Sequence, residues 1–166
     1  MISWGALSDF LEKGKRLDFN STFFLVFGNE YLQLFAIELN TGGPNIKDLG
    51  QLFLHGIDST GKSLIAIGGE YAPFTKDIKV HEGLPIDRVT LYQSGEFYQT
   101  FKFKQLKTGF KLSANTIKID PNNGEVTDLI DRWGDNIIGL TNESLSKLGI
   151  EAIPYIIEAI LKQLLS

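Results

Sequence analysis

The spacing of apolar residues along the chain changes character twice. At the start, Trp4, Leu7, Phe10 and Leu11 recur at helical intervals and Gly14 supplies a stop, which predicts a short amphipathic helix over 3–13. From residue 21 the runs become dense and β-prone. Ser21 to Phe27 and Tyr31 to Leu39 are apolar on nearly both faces, and Gly28-Asn29-Glu30 between them gives the outline of a central hairpin. The breaker cluster Asn40 to Asn45 follows. Beyond it, strands are expected at Gln51–Ile57, Lys62–Ile67, Phe74–Val80, Ile86–Tyr92, Phe97–Leu106, Phe110–Leu112 and Thr116–Ile119, each bounded by turn residues.

After Asp120-Pro121-Asn122-Asn123-Gly124 the rhythm turns helical again. Val126, Leu129, Ile130 and Trp133 stand at i, i+3, i+4 and i+7, with Asn122 or Asn123 placed to open that helix and Gly134 to close it. Thr141 can cap a short helix carrying Leu145 and Leu148, which Gly149 stops. Pro154 suits the first turn of a last helix, whose apolar face is Ile153, Ile156, Ile157, Ile160, Leu161, Leu164 and Leu165. The fold class this predicts is mainly β. One domain carries a single antiparallel β-sandwich or barrel of about eight strands over 21–119, a short N-terminal helix and a helical segment over 123–165.

Composition narrows the chemistry. A chain of 166 residues, 43% apolar with a net charge of −4, can bury one core unaided. The absence of Cys removes disulfides, thiolate metal ligands and a thiol nucleophile, and two His leave little for an imidazole centre. No metal site or cofactor is expected. No stretch approaches the ~20 apolar residues of a membrane span. The first residues lack the basic flank and apolar run of a signal peptide, so a soluble, cytoplasmic protein without membrane contact is expected. Mild acidity argues against nucleic acid as a partner.

One motif asks for a closer look. Gly56-Ile57-Asp58-Ser59-Thr60-Gly61-Lys62-Ser63 satisfies G-x-x-x-x-G-K-[ST], the phosphate-binding loop in which Lys reaches phosphates and Ser holds magnesium. That chemistry needs a helix to open at the lysine. Ser63 to Ile67 is rich in β-branched residues and runs into Gly68-Gly69, so a hairpin turning at Asp58–Gly61 is the expectation, with no bound nucleotide. His81-Glu82 lacks the second His of a zinc-protease helix, and Ser94 reads as a turn serine. His55 reads as packed between Phe53 and Ile57. Asp120 to Glu125 has oxygen ligands at alternate positions, but its glycine falls one place early for a calcium loop. No catalytic residue is assigned.

Two surfaces remain as candidates for contact. Residues 97–119 hold Lys102, Lys104, Lys107, Lys111 and Lys118 and no acid, so this segment carries +5 against −9 for the rest. In an extended Phe97–Leu106 the pleat sends Phe97, Phe101 and Phe103 inward and Tyr98, Lys102 and Lys104 outward, a basic stripe for an anionic partner. The last helix is the other, through Ile157, Leu161 and Leu164. The function expected is a non-enzymatic binding or assembly module that acts through protein–protein contacts or self-association. The alternative is a small-ligand or carbohydrate-binding barrel using Tyr71, Tyr92 or Tyr98. A carboxylate enzyme working through Asp120, Asp128 or Asp131 stands third.

Overall fold

The computed structural model describes residues 12, 14, 18–46, 48–107, 109–119 and 124–165, the side chains of 19 and 20 excepted. The described residues are 54% helical and 14% strand, with two separate two-stranded sheets and no closed barrel, so the mainly-β sandwich or barrel is overturned. In chain order the elements are α1 (Phe19–Phe27), α2 (Glu30–Thr41), a π-helical turn (Gln51–His55), α3 (Leu64–Gly68), α4 (Pro73–His81), α5 (Glu96–Gln99), β1 (Lys102–Leu106), β2 (Gly109–Ser113), β3 (Ile117–Ile119), β4 (Val126–Asp128), α6 (Leu129–Trp133), a 3-10 turn (Asp135–Ile137) and α7 (Asn142–Leu165).

The expected central hairpin of residues 21–39 is a pair of helices. Asn29 makes the turn between them, its side chain accepting from the N–H of Tyr31 (2.9 Å) and Leu32 (3.4 Å) as the N-cap of α2. Along α2, Leu32, Ala36 and Leu39 fall at i, i+4 and i+7 and are buried. Helical periodicity was therefore present beneath an almost continuous apolar run, which short windows do not separate from a buried strand. Three further expected strands are also helical. Gln51–Ile57 holds the π-helical turn, Lys62–Ile67 runs into α3, and Phe74–Val80 lies in α4, where Pro73 occupies the first turn. Ile86–Tyr92 is irregular, and Phe97 belongs to the single helical turn α5.

The strands that do form are local hairpins. β1 pairs antiparallel with β2, Phe103 opposite Leu112 and Lys104 opposite Lys111, and β3 pairs with β4. Val126 opens a strand rather than a helix, and Asp128 caps α6 by accepting from Ile130 N–H at 3.0 Å. Asn122 and Asn123 lie outside the described residues, as does the expected helix 3–13 apart from Glu12. Gly149 and Pro154 do not divide the C-terminal segment: α7 runs through both as one helix of 24 residues.

Two cores result. The first joins Val26, Leu32, Ala36, Leu39, Leu148, Ala152 and Ala159 from α1, α2 and α7, and Phe103 and Phe110 of the β1–β2 hairpin pack on it. The second gathers Leu52, Leu64, Val89, Tyr98, Phe101, Leu129, Trp133 and Ile137. Gln51 ties the two together at the start of α7. Its Nε2 donates to Gly139 O (2.6 Å), and its Oε1 accepts from Thr141 N–H (3.0 Å) and Ser144 Oγ (3.3 Å). The backbone beside it crosses closely. A Cβ on Gly50 would stand 2.2 Å from Gly42 Cα, so only glycine fits there.

Candidate interaction surface

Helix α7 begins at Thr141, whose Oγ1 accepts from Ser144 N–H at 3.1 Å. One line of residues, Ser144, Leu148, Ala152 and Ala159, is buried. Contacts down its length fix how the other helices lie against it. Asn40 Nδ2 donates to Gly139 O (2.6 Å), Tyr31 Oη donates to Glu151 (2.8 Å), and Gln163 donates to Thr22 (2.9 Å). Going up α1 and α2 in sequence therefore means going down α7. The two shorter helices lie end to end, antiparallel to α7, with α2 along its first half and α1 along its second.

The opposite side of α7 faces outward and is apolar. Ile150 is 67% exposed, Ile153 49%, Ile157 53%, Leu161 46% and Leu165 77%, at spacings of three, four, four and four. Each step of four advances about 40° round the helix, so they form an inclined ridge centred opposite Leu148 and Ala152. Pro154, also exposed, shares the outer side. Charged residues border this line: Glu143 with Lys147 at 2.9 Å and Glu158 with Lys162 at 2.7 Å. The hydrogen bond from its lysine holds each of these carboxylates below the ordinary range. Of the expected helix residues, Ile157 and Leu161 lie on this face. Leu164 is buried, although seven residues on from Ile157 it lies within about 20° of the same side of the helix.

The structure places the four lysines of the expected basic stripe at the surface and Tyr98 in the interior. Lys102, Lys104 and Lys111 project from one side of the β1–β2 hairpin, and Lys107 stands in its turn, all exposed. Phe103, Phe110 and Leu112 project from the other, where Phe103 and Phe110 stack at 4.8 Å and both approach Phe27. Tyr98 is not part of the stripe. The chain is helical at 96–99, so its ring is buried and its hydroxyl donates to Thr90 O at 2.5 Å. Burial pushes that hydroxyl well above the ordinary tyrosine value of 10.0. Tyr71 is occupied similarly, accepting from Thr90 and Leu91 N–H at 2.9 and 3.1 Å, while Lys79 Nζ donates to Tyr92 O and lies over the Tyr71 ring.

The Gly56–Ser63 segment is part hairpin and part helix start. Ile57 and Ser63 form an antiparallel bridge, Asp58 N–H donates to Lys62 O (2.9 Å), and Gly61 is left-handed at φ 82°. The strand expected to follow is instead the five-residue α3. Asp58, 2% exposed, turns its carboxylate into the loop and accepts from Thr60 N–H (2.8 Å), Thr60 Oγ1 (2.7 Å) and Lys62 N–H (3.0 Å). Ser59 and Gly61 N–H donate to Asn136 O and Asp58 O. The backbone N–H groups from 58 to 62 are thus already engaged within the protein.

Other sequence candidates disperse. His55 is exposed at the end of the π-helical turn rather than packed, and His81 closes α4. Asp128 is a cap and Asp131 is exposed, and no described cluster of three His, Asp or Glu could hold a metal. An open cleft of about 420 Å³ is lined by Phe23, Gly109, Phe110, Leu112, Gly139, Leu140 and Leu145, without an ionisable group. Among the described residues no helix is long and apolar enough to cross a membrane. The feature sequence reasoning missed is the continuity of α7, which adds Ile150 to the stripe. Ile150, Ile153 and Ile157 already stood at helical spacing across Pro154. Compared with family models, curated proteins and solved structures, the chain matches none, so its function is read from these side chains.

Proposed function

We propose that this protein is a non-enzymatic assembly module that self-associates through the outer face of α7. The observation that carries the reading is the line of five large aliphatic residues, Ile150 to Leu165, on the side of α7 turned away from α1 and α2. It exposes on the order of 500 Å² of apolar surface, near the top of what a monomer leaves uncovered. Burying such a face stabilises association by about 25 cal/mol per Å² before the cost of lost freedom is subtracted.

Light scattering over a concentration series tests this. The wild-type chain is expected to show a mass above 18.5 kDa that rises with concentration. The double variant Ile157→Asp/Leu161→Asp should stay at 18.5 kDa with an unchanged unfolding transition, since both side chains are exposed in the single chain. A wild-type mass of 18.5 kDa throughout, or a larger mass that the double variant retains, overturns the reading.

A further inference from the structure

We infer that the free edge of β2 takes up an extended peptide segment of a partner protein as a third strand, one whose apolar side chains alternate with carboxylates. The site is separate from the outer face of α7. β2 pairs with β1 on one side only, and β1 is the strand that lies against α1 and α2. Leu106 and Gly109, with two residues between them, close the hairpin as a hydrogen-bonded pair. By alternation, Lys104 with Lys111 and Lys102 with Ser113 exchange hydrogen bonds too, so Phe110 and Leu112 turn their N–H and C=O groups to the outer edge. Among the described residues these edge groups have no hydrogen-bond partner. Leu112 is nevertheless only 7% exposed. Unpaired backbone groups on a buried residue are uncommon, and a strand laid beside β2 supplies their partners.

The open cleft of about 420 Å³ lies against this strand: Phe110 and Leu112 line it together with Phe23, Leu140 and Leu145. Its volume is in the range of ligand clefts. Side chains of an added strand alternate between the two faces of the sheet. Those on the face of Phe110 and Leu112 meet the apolar lining of the cleft. Those on the other face stand beside Lys111, which has Lys104 directly across from it in the ladder. Lys102 and Lys107 are exposed on the same hairpin, and among the described residues none of the four lysines is ion-paired. Like charges set opposite one another repel, and carboxylates on the incoming strand relieve that repulsion. The same lysines disfavour a second copy of this hairpin, which brings lysine to lysine, so the edge selects an acidic segment over its own kind. Main-chain bonds from the edge give affinity, and the cleft and lysines give selectivity.

Amide hydrogen exchange and peptide binding on the full chain test this. In the free protein the N–H groups of Phe110 and Leu112 should exchange faster than that of Lys111, which bonds to β1. A short synthetic peptide alternating valine and glutamate should bind in fluorescence anisotropy titrations and slow exchange at both positions. Lys104→Glu/Lys111→Glu, at two exposed positions, should weaken that binding about tenfold. A peptide alternating valine and lysine should not bind, and neither should the valine–glutamate peptide N-methylated along its backbone. Protection of Phe110 and Leu112 in the free chain would show the edge already filled and overturn the proposal. Equal binding of the acidic and basic peptides, binding that survives N-methylation or the lysine reversals, or binding of neither peptide would overturn it as well.

Discussion

The carboxylate of Asp58 takes three donors from the turn in which it sits, and it does so from a buried position. Hydrogen bonds to a charged acceptor are each stronger than neutral ones, and truncating the acceptor strands the donors. Asp58→Ala is expected to lower unfolding free energy by about 2–3 kcal/mol, and Asp58→Asn by less, in urea titrations. The turn itself was legible in the sequence, because Asp-Ser-Thr-Gly encodes it locally. The helix after it was not, because Leu64 is held by the second core and by its N–H bond to Gly56 O, partners remote from any local pattern. Tyr98 offers a second test at this scale. Burial raises its hydroxyl above 10.0, so the neutral form belongs to the folded state. Its stabilisation is complete below the unfolded tyrosine value and is lost as pH rises through the raised one. Stability should therefore fall above about pH 10 more steeply in the wild type than in Tyr98→Phe, compared in parallel denaturation series.

Among the elements, α1, α2 and α7 show what sequence patterning reveals and what it hides. The β1–β2 hairpin was readable because Lys alternates with Phe or Leu on either side of the sequence Lys107-Thr108-Gly109. Helices α1 and α2 were not, because their apolar residues do not confine themselves to one stripe: Phe24, Leu25, Tyr31 and Leu34 are exposed while Val26, Leu32 and Ala36 are buried. In α7 the breakers misled. Gly149 and Pro154 each weaken a helix interior, yet the packing of Leu148 and Ala152 on α1 and α2 carries the helix through them. Gly149 has open space around its would-be Cβ and ordinary helical backbone. Gly149→Ala should accordingly stabilise the protein by about 0.5–1 kcal/mol, read as a higher urea midpoint at unchanged slope.

For the whole molecule, α1 and α2 carry two exposed surfaces of different chemistry on the elements packed against them. The lysine-bearing hairpin packs on α1 and α2, and α7 lies along the same two helices with its aliphatic ridge outward. Ile157 and Leu161 were legible as residues of one helix face because amphipathic spacing marked them. Leu164 and Tyr98 were misplaced because exposure depends on what packs over a side chain, which no single segment specifies. Association through α7 covers its outer side. Thiol labelling of Ile157→Cys against Val80→Cys under reducing conditions tests it, the two positions being 53% and 60% exposed in the single chain. Labelling at position 157 should slow as protein concentration rises while labelling at position 80 stays constant. Equal rates at both positions at every concentration would contradict it.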